Sequence, residues 1–301
     1  MALGTNHVTN ATAGTFIPEL WSDEIIAAYK QNLVMANLVS KMSFKGKKGD
    51  TLHIPKPTRG AASLKAASNQ VTLQAATESE VQVLVNKHYE YSRLIEDITE
   101  AQALASLRKF YTGDAGYALA KQVDTDLVFL GRGVNGGDGT AAYTGAIIGS
   151  GNTAYTGSNA AAISDAGIRA AIQKLDDADV PMDGRVLVLP PVARNVMMGL
   201  ARFTEQAFTG EVGGGNTIRN GEIGNVYGVK VFVTTNADAA TSGDRIGLMF
   251  TKDAFVLAEQ MGVRSQTQYK QEYLGTLFTS DMLYGVKELR DEAAVAIAMP
   301  A

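Results

Sequence analysis

The sequence predicts a mixed α+β chain with long extended segments, on three observations. Residues 45–88 alternate in polarity and are punctuated by glycine and proline, the pattern of a long two-stranded hairpin. A helical apolar period runs from Thr99 to Leu130. From Ile163 onward, short helices alternate with short apolar strands, as in an α/β layer. The 301 residues amount to about two domains' worth of chain, and 46% apolar residues suffice for a sizeable core. Only 19% are charged, against roughly 25% in an ordinary soluble domain. With 31 glycines and abundant alanine, the composition suits a protein whose faces are covered by other protein.

The first segment, 1–44, reads as an arm containing a helix. Trp21, Ile25, Tyr29 and Leu33 recur at four-residue spacing within Pro18–Leu38, and Pro18 sits where a first-turn proline is tolerated. Trp21 is a core residue of that stripe or an anchor on a neighbouring subunit. In 45–88, Gly46, Gly49, Pro55, Pro57 and Gly60 forbid a helix. Gly49–Pro55 and Glu80–Lys87 read as the two strands, with a small-residue tip around Ala61–Gln74. An isolated two-stranded ribbon is marginal in water, so it is expected to lie on something. Thr99–Gln102 has the form of a capping box. Leu104, Leu107, Tyr111, Ala115, Leu119, Val123, Leu127 and Leu130 then trace one packing stripe, with Gly113 and Gly116 as places where the helix bends or splits.

Residues 131–160 form a Gly-, Ser- and Asn-rich crossover. Beyond it the pattern predicts a helix over Ser164–Ala178, a buried strand over Arg185–Leu189 and a helix over Val192–Leu200. A turn and strand follow over Gly221–Thr235, then strands at Arg245–Phe250, Ala254–Ala258, Leu283–Arg290 and Ala293–Met299.

Charge is distributed unevenly. Residues 41–65 carry Lys41, Lys45, Lys47, Lys48, Lys56, Arg59 and Lys65 against Asp50 alone. Residues 78–100 carry Glu78, Glu80, Glu90, Glu96, Asp97 and Glu100 against Lys87 and Arg93. The acidic stretch reads either as a solvated face or as the opposite-charge partner of the basic hairpin in another copy, which would help select a register. The whole chain is mildly acidic, with net charge −4 and pI near 5.5, which disfavours a general nucleic-acid-binding domain.

Chemistry-bearing motifs fail in turn. Cysteine is absent, which excludes disulfides, thiolate metal sites and thiol nucleophiles. The three histidines, His7, His53 and His88, are not at ligand spacing, so no metal site and no cofactor is expected. Gly131, Gly133 and Gly136 spell GxGxxG, but follow a helix rather than a strand. Asp177, Asp179 and Asp183-Gly184 echo a calcium loop, but Pro181 occupies a ligand position and the terminal glutamate is missing. No Walker loop, nucleophile elbow or catalytic triad is supported, so no enzyme is expected. The N-terminal MALGTNHVTN has no basic or apolar region of a secretory leader, and the longest apolar runs are too short for a membrane span.

The order of arm, hairpin, long helix, crossover, α/β portion and closing strands resembles the major capsid proteins of tailed bacteriophages, the Hong Kong 97-type capsid fold. The resemblance is carried by Val180–Pro191, by the glycine-punctuated Gly221–Val231, by Asp253–Ala258 and by Leu283–Arg290. It implies an N-terminal arm (1–44), an extended β-hairpin loop (45–88) and a peripheral domain with a spine helix and the crossover (89–159). An α/β axial domain (160–260) and a return to the peripheral domain (261–301) complete the division. The implied function is a coat protein that self-assembles into pentamers and hexamers of an icosahedral shell around the phage double-stranded DNA. Scaffolding protein and a portal are the implied partners during assembly in the host cytoplasm. DNA is enclosed without sequence-specific binding, and no membrane is involved. The alternative is an encapsulin-type nanocompartment shell. The expected intersubunit contacts are Lys45, Lys47, Lys48, Lys56, Arg59, Lys65, Glu78, Glu80, Glu96, Asp97 and Trp21. Gly221, Gly224 and Gly228 are expected at turns needing positive φ or close backbone approach. Some relatives cross-link a loop lysine to a neighbour's asparagine, and Lys65 is the residue so placed here.

Overall fold

The computed structural model describes residues 33–43, 45, 48–57, 60–65, 67, 68, 70, 71, 73, 78–97, 106–200 and 225–301. In chain order the first elements are α1 (Met35–Leu38), β1 (Ser40–Ser43), β2 (Thr51–Pro57), β3 (Glu78–Leu84), β4 (Lys87–Glu96) and α2 (Ser106–Phe129). The middle of the chain gives β5 (Ile147–Ile148), α3 (Asp165–Asp177), β6 (Val186–Leu189), α4 (Pro191–Met198), β7 (Asn225–Val226) and β8 (Val229–Val233). The last four strands are β9 (Arg245–Phe250), β10 (Phe255–Lys270), β11 (Gly275–Glu288) and β12 (Ala294–Met299).

The strands form three sheets: β1-β10-β11-β4, β5-β12-β9-β6-β8-β7, and the ribbon β2-β3. The six-stranded sheet is short and apolar, as its sequence requires. Every residue of β6 (Val-Leu-Val-Leu) and of β12 is buried. Helix α3 packs one apolar face on this sheet, with Ile168, Ala171 and Leu175 against Ile147, Val295 and Ile297. Ser164 caps α3 by accepting from the Gly167 amide at 3.2 Å, and Pro191 opens α4 at a position where its missing N–H costs nothing.

Helix α2 runs unbroken for 24 residues, about 36 Å at 1.5 Å per residue. Gly113 and Gly116 do not split it, and a Cβ added at either would meet nothing within 4 Å among the described residues. Its stripe of Ala115, Leu119, Val123 and Leu127 is buried, the last three in a core shared by both larger sheets, with Leu248 and Phe250 from one and Phe255, Leu257 and Tyr284 from the other.

Four expectations are corrected or cut short. The strands expected at 254–258 and 283–290 are the proximal halves of one long antiparallel ribbon, β10 against β11, closed by a turn at Gln271–Leu274. The segment 261–301 is divided between two sheets, because β12 pairs with β9 and β5 rather than with β11. The acidic stretch continues into β4, paired antiparallel with β11 from Lys87 to Glu96. Of the helix expected over Pro18–Leu38, the described part is helical only at Met35–Leu38. Trp21, the Thr99–Gln102 capping box and the loop at 201–224 lie outside the described residues.

The crossover after α2 is better fastened than its composition implies. Tyr143 and Tyr155 are buried in it. Tyr143 donates to Asp238, which also takes a two-pronged contact from Arg132 at 2.7 and 3.1 Å. Tyr155 donates to Asp244 at 2.7 Å. Of the GxGxxG glycines, Gly136 takes positive φ (+77°) and the other two serve packing. A Cβ at Gly131 would collide with Leu248, and one at Gly133 with Glu288.

Candidate assembly surface

The ribbon β2-β3 is in register from Thr51 opposite Leu84 to Pro57 opposite Glu78. Alternation puts Leu52, Ile54, Val81 and Val83 on one face and His53, Glu80 and Gln82 on the other. Only the base of the apolar face is covered by its own chain. Val83 and Val85 are buried against Val256 and Ala258 of β10, and the Val85 amide donates to Asp50 O at 2.7 Å. The approach is so close that a Cβ at Gly285 of β11 would lie 2.2 Å from Leu84 O. Glycine is therefore required at 285 for the ribbon to seat.

Beyond the base the ribbon leaves its own chain. At the tip, Leu64, Val71 and Leu73 are 101%, 64% and 91% exposed. Each exposed leucine or valine forgoes roughly 1.5–3 kcal/mol that burial would return. Lys48, Lys56 and Lys65 are exposed too, and none has a carboxylate within 4 Å among the described residues.

The ribbon sets Lys56 of β2 beside Glu78 and Glu80 of β3, but among the described residues no expected contact lysine forms an ion pair with an expected contact acid within one copy. Lys45 pairs with Glu259 at 3.6 Å, not with the 78–100 acids. Glu80 faces its own ribbon, where hydrogen bonds from Gln82 (2.6 Å) and His53 (2.9 Å) hold its carboxyl below the ordinary range. Glu96 is exposed at the end of β4, and Asp97 accepts from Tyr269 at 2.7 Å. That hydrogen bond raises the Tyr269 pKa. Glu78 occupies β3 opposite Pro57. Its side chain, and Lys47, Arg59, Gly221 and Gly224, lie outside the described residues. Gly228, at φ +82°, closes the two-residue turn between β7 and β8, with Tyr227 at φ +51° before it.

The sequence reading missed the acids that anchor these parts. Asp124 of α2, fully buried, accepts from the Met35 amide at 2.8 Å and from Asn236 at 3.0 Å, and burial raises its pKa. Two residues on, Asp126 meets Lys87 at 3.0 Å and accepts from Tyr284 at 2.7 Å. The Tyr284 pKa is raised by burial and by that carboxylate. Asp124 thus fixes the chain entering β1, and Asp126 fixes β4 and β11. Nothing in sequence marks them except two acids inside an apolar stripe. The distal end of the four-stranded sheet was also missed. Tyr269, Tyr273 and Leu274 are exposed there, and Leu274 holds the left-handed region at φ +43°.

The calcium-loop echo resolves into a turn. Asp179 and Gly184 take positive φ, and the buried Arg185 closes the loop onto Val180 O at 2.6 Å and Asp176 at 2.7 Å. Among the described residues no three His, Asp or Glu side chains group to hold a metal, and no helix is long and apolar enough to cross a membrane.

Comparison with known proteins gives a family and a fold. The model of the phage capsid protein family matches residues 95–297. A search of curated proteins finds no significant match. Among solved structures, one from Mycobacterium phage Che8 is 24% identical with a TM-score of 0.75, covering 94% of this chain and 97% of its own. The capsid structure of cyanophage P-SCSP1u is 19% identical with a TM-score of 0.75, covering 99% and 96%. The mature capsid of bacteriophage PhiM1 is 12% identical with a TM-score of 0.71, covering 94% and 92%.

Proposed function

The chain belongs to the phage capsid protein family and is a major capsid protein, and we propose that its copies close into an icosahedral head shell around double-stranded DNA, each laying its 45–88 ribbon over a neighbour. In this reading the fold is of the Hong Kong 97 type. Helix α2 is the spine helix, the four-stranded sheet belongs to the peripheral domain, and the six-stranded sheet with α3 and α4 forms the axial domain. A family of structural proteins gives no support to an enzyme, and a phage family disfavours the nanocompartment alternative.

One observation carries the ribbon's role: its base is seated on its own chain while Leu64, Val71 and Leu73 stand in solvent. A second copy supplies what that tip lacks. The lysines of the basic 41–65 segment find their acids in the 78–100 segment of that copy, since among the described residues no such lysine pairs with such an acid within one chain. Many modest contacts per subunit sum to a shell that holds, while each stays weak enough to correct errors during growth. Fivefold and sixfold clusters of one chain meet the closure requirement. The net charge of −4 leaves enclosed DNA unattached, since phosphate binding grows with each cation engaged. Scaffolding protein and portal act during assembly in the host cytoplasm.

The test is charge reversal at Lys48, Lys56 and Lys65 together. The expected outcome is a folded subunit that sediments alone, with no particles in negative-stain micrographs. Normal shells from that variant would defeat the ribbon's role. Nuclease-resistant DNA in the parent's particles checks the cargo.

A further inference from the structure

The chain holds two Asn-Gly pairs, Asn135-Gly136 and Asn220-Gly221. Such a pair is chemically labile, because glycine has no Cβ to shield its nitrogen and leaves the backbone free to turn. The glycine nitrogen attacks the asparagine Cγ, forming a C–N bond while the Cγ–Nδ2 bond breaks and ammonia leaves. Water then opens the cyclic imide to aspartate or isoaspartate. Attack needs an available glycine nitrogen, a side-chain amide free to approach it, and a backbone that can swing. Asn220 lies outside the described residues. Asn135 lies in the turn that follows α2, at φ +55°, a left-handed region that asparagine tolerates.

In that turn all three requirements are withheld. The Gly136 amide donates to both carboxyl oxygens of Asp291 at 3.0 Å. A carboxylate so placed opposes loss of the amide proton, since the resulting anion would face a like charge. The leaving group is engaged as well, with Asn135 Nδ2 donating to Gly145 O at 2.7 Å. The backbone is fixed on both sides. Asn135 N donates to Asp291 O at 3.2 Å, Gly137 N to Val134 O at 3.1 Å and Gly139 N to Arg132 O at 3.3 Å. Backbone also packs directly on backbone here. A Cβ at Gly145 would lie 2.3 Å from Val134 O and 2.8 Å from Asn135 O, and one at Gly137 would lie 2.3 Å from Arg132 O.

We propose that Asn135 is a guarded deamidation site: Asp291 and the Gly145 carbonyl hold it shut in the folded chain, and its conversion to aspartate or isoaspartate unseats the turn after α2. The damage follows from the surroundings. An aspartate at 135 lacks the N–H that meets Gly145 O, so two acceptors are left facing each other. Its charge enters an open cleft lined by Asp177, Asp179 and Glu292, with Lys174 as the cation among them. Isoaspartate lengthens the main chain by one atom, where Gly137 and Gly145 leave no room for even a Cβ.

The test incubates the full chain as unassembled subunits in mildly alkaline buffer, folded or unfolded in guanidinium, and follows conversion of Asn135 by peptide mass spectrometry. Unfolded, Asn135 should convert as fast as Asn220; a slow Asn135 there would mean that sequence rather than fold protects it, and overturns the guard. Folded, it should convert on the order of a hundredfold more slowly, about tenfold for each of the two hydrogen bonds that must break. Asp291→Ala should restore about tenfold of that rate, and Glu292→Gln, in the same cleft, should restore none. Equal folded and unfolded rates in the parent, an Asp291→Ala rate equal to the parent's, or a Glu292→Gln rate equal to that of Asp291→Ala overturns the guard. If Asp291→Ala does not fold, the parent's two rates decide. Asn135→Asp should lower the urea midpoint of unfolding, and a midpoint equal to the parent's overturns the structural consequence. The readouts need no shell, so they stand apart from the assembly reading.

Discussion

The ribbon β2-β3 pairs seven residues per strand among the described residues, whereas β10-β11 runs from Phe255 to Glu288 with β1 on one flank and β4 on the other. Both are antiparallel ribbons of alternating sequence. The longer one is finished by its own chain over its proximal half, where Phe255, Leu257, Met282 and Tyr284 enter the common core. The shorter one is finished only at its base. The same local rule therefore yields a self-sufficient sheet in one place and an unfinished arm in the other. What separates them is whether the chain supplies a second layer.

Variants can break that contrast, beginning with the largest effect. Replacing Leu64, Val71 and Leu73 together by serine should abolish shell formation while leaving the subunit's melting temperature unchanged. Light scattering and calorimetry read the two halves of that statement, and a lowered subunit melting temperature would mean the tip packs at home. Phe255→Ala should do the reverse, destabilising the subunit itself by about 3–5 kcal/mol in chemical denaturation, as a buried aromatic does. Asp126→Ala leaves Lys87 and the buried Tyr284 hydroxyl without their acceptor, and should cost about 3 kcal/mol. Lys45→Ala sharpens the contrast from the other side. Its pair with Glu259 is exposed, so the subunit should lose under about 0.5 kcal/mol.

Much of this was legible in the sequence, and the reason is local. Helix α2 declared itself through Ala115, Leu119, Val123 and Leu127, and the ribbon through its alternation and prolines. Helices α3 and α4 were marked by Ser164 and Pro191. Each signal lies within one short stretch of chain. The distal half of β10 gave none, because Arg264–Lys270 alternates polar with polar and becomes strand only by pairing with β11 and, through it, β4. The 78–100 acids read as one stretch, yet Glu78 and Glu80 lie in β3 and Glu90 and Glu96 in β4, which belong to different sheets.

Sequence alone determined the periodic elements, the absence of cysteine, and the segregation of basic and acidic residues along the chain. Only the tertiary structure decided which acids are structural. Asp126 meets Tyr284 across 158 residues, Asp238 meets Arg132 across 106, and Glu288 finds its seat at Gly133. A carboxylate's role depends on the groups that surround it and on how much water they exclude. Those groups come from distant parts of the chain, so no local pattern encodes them.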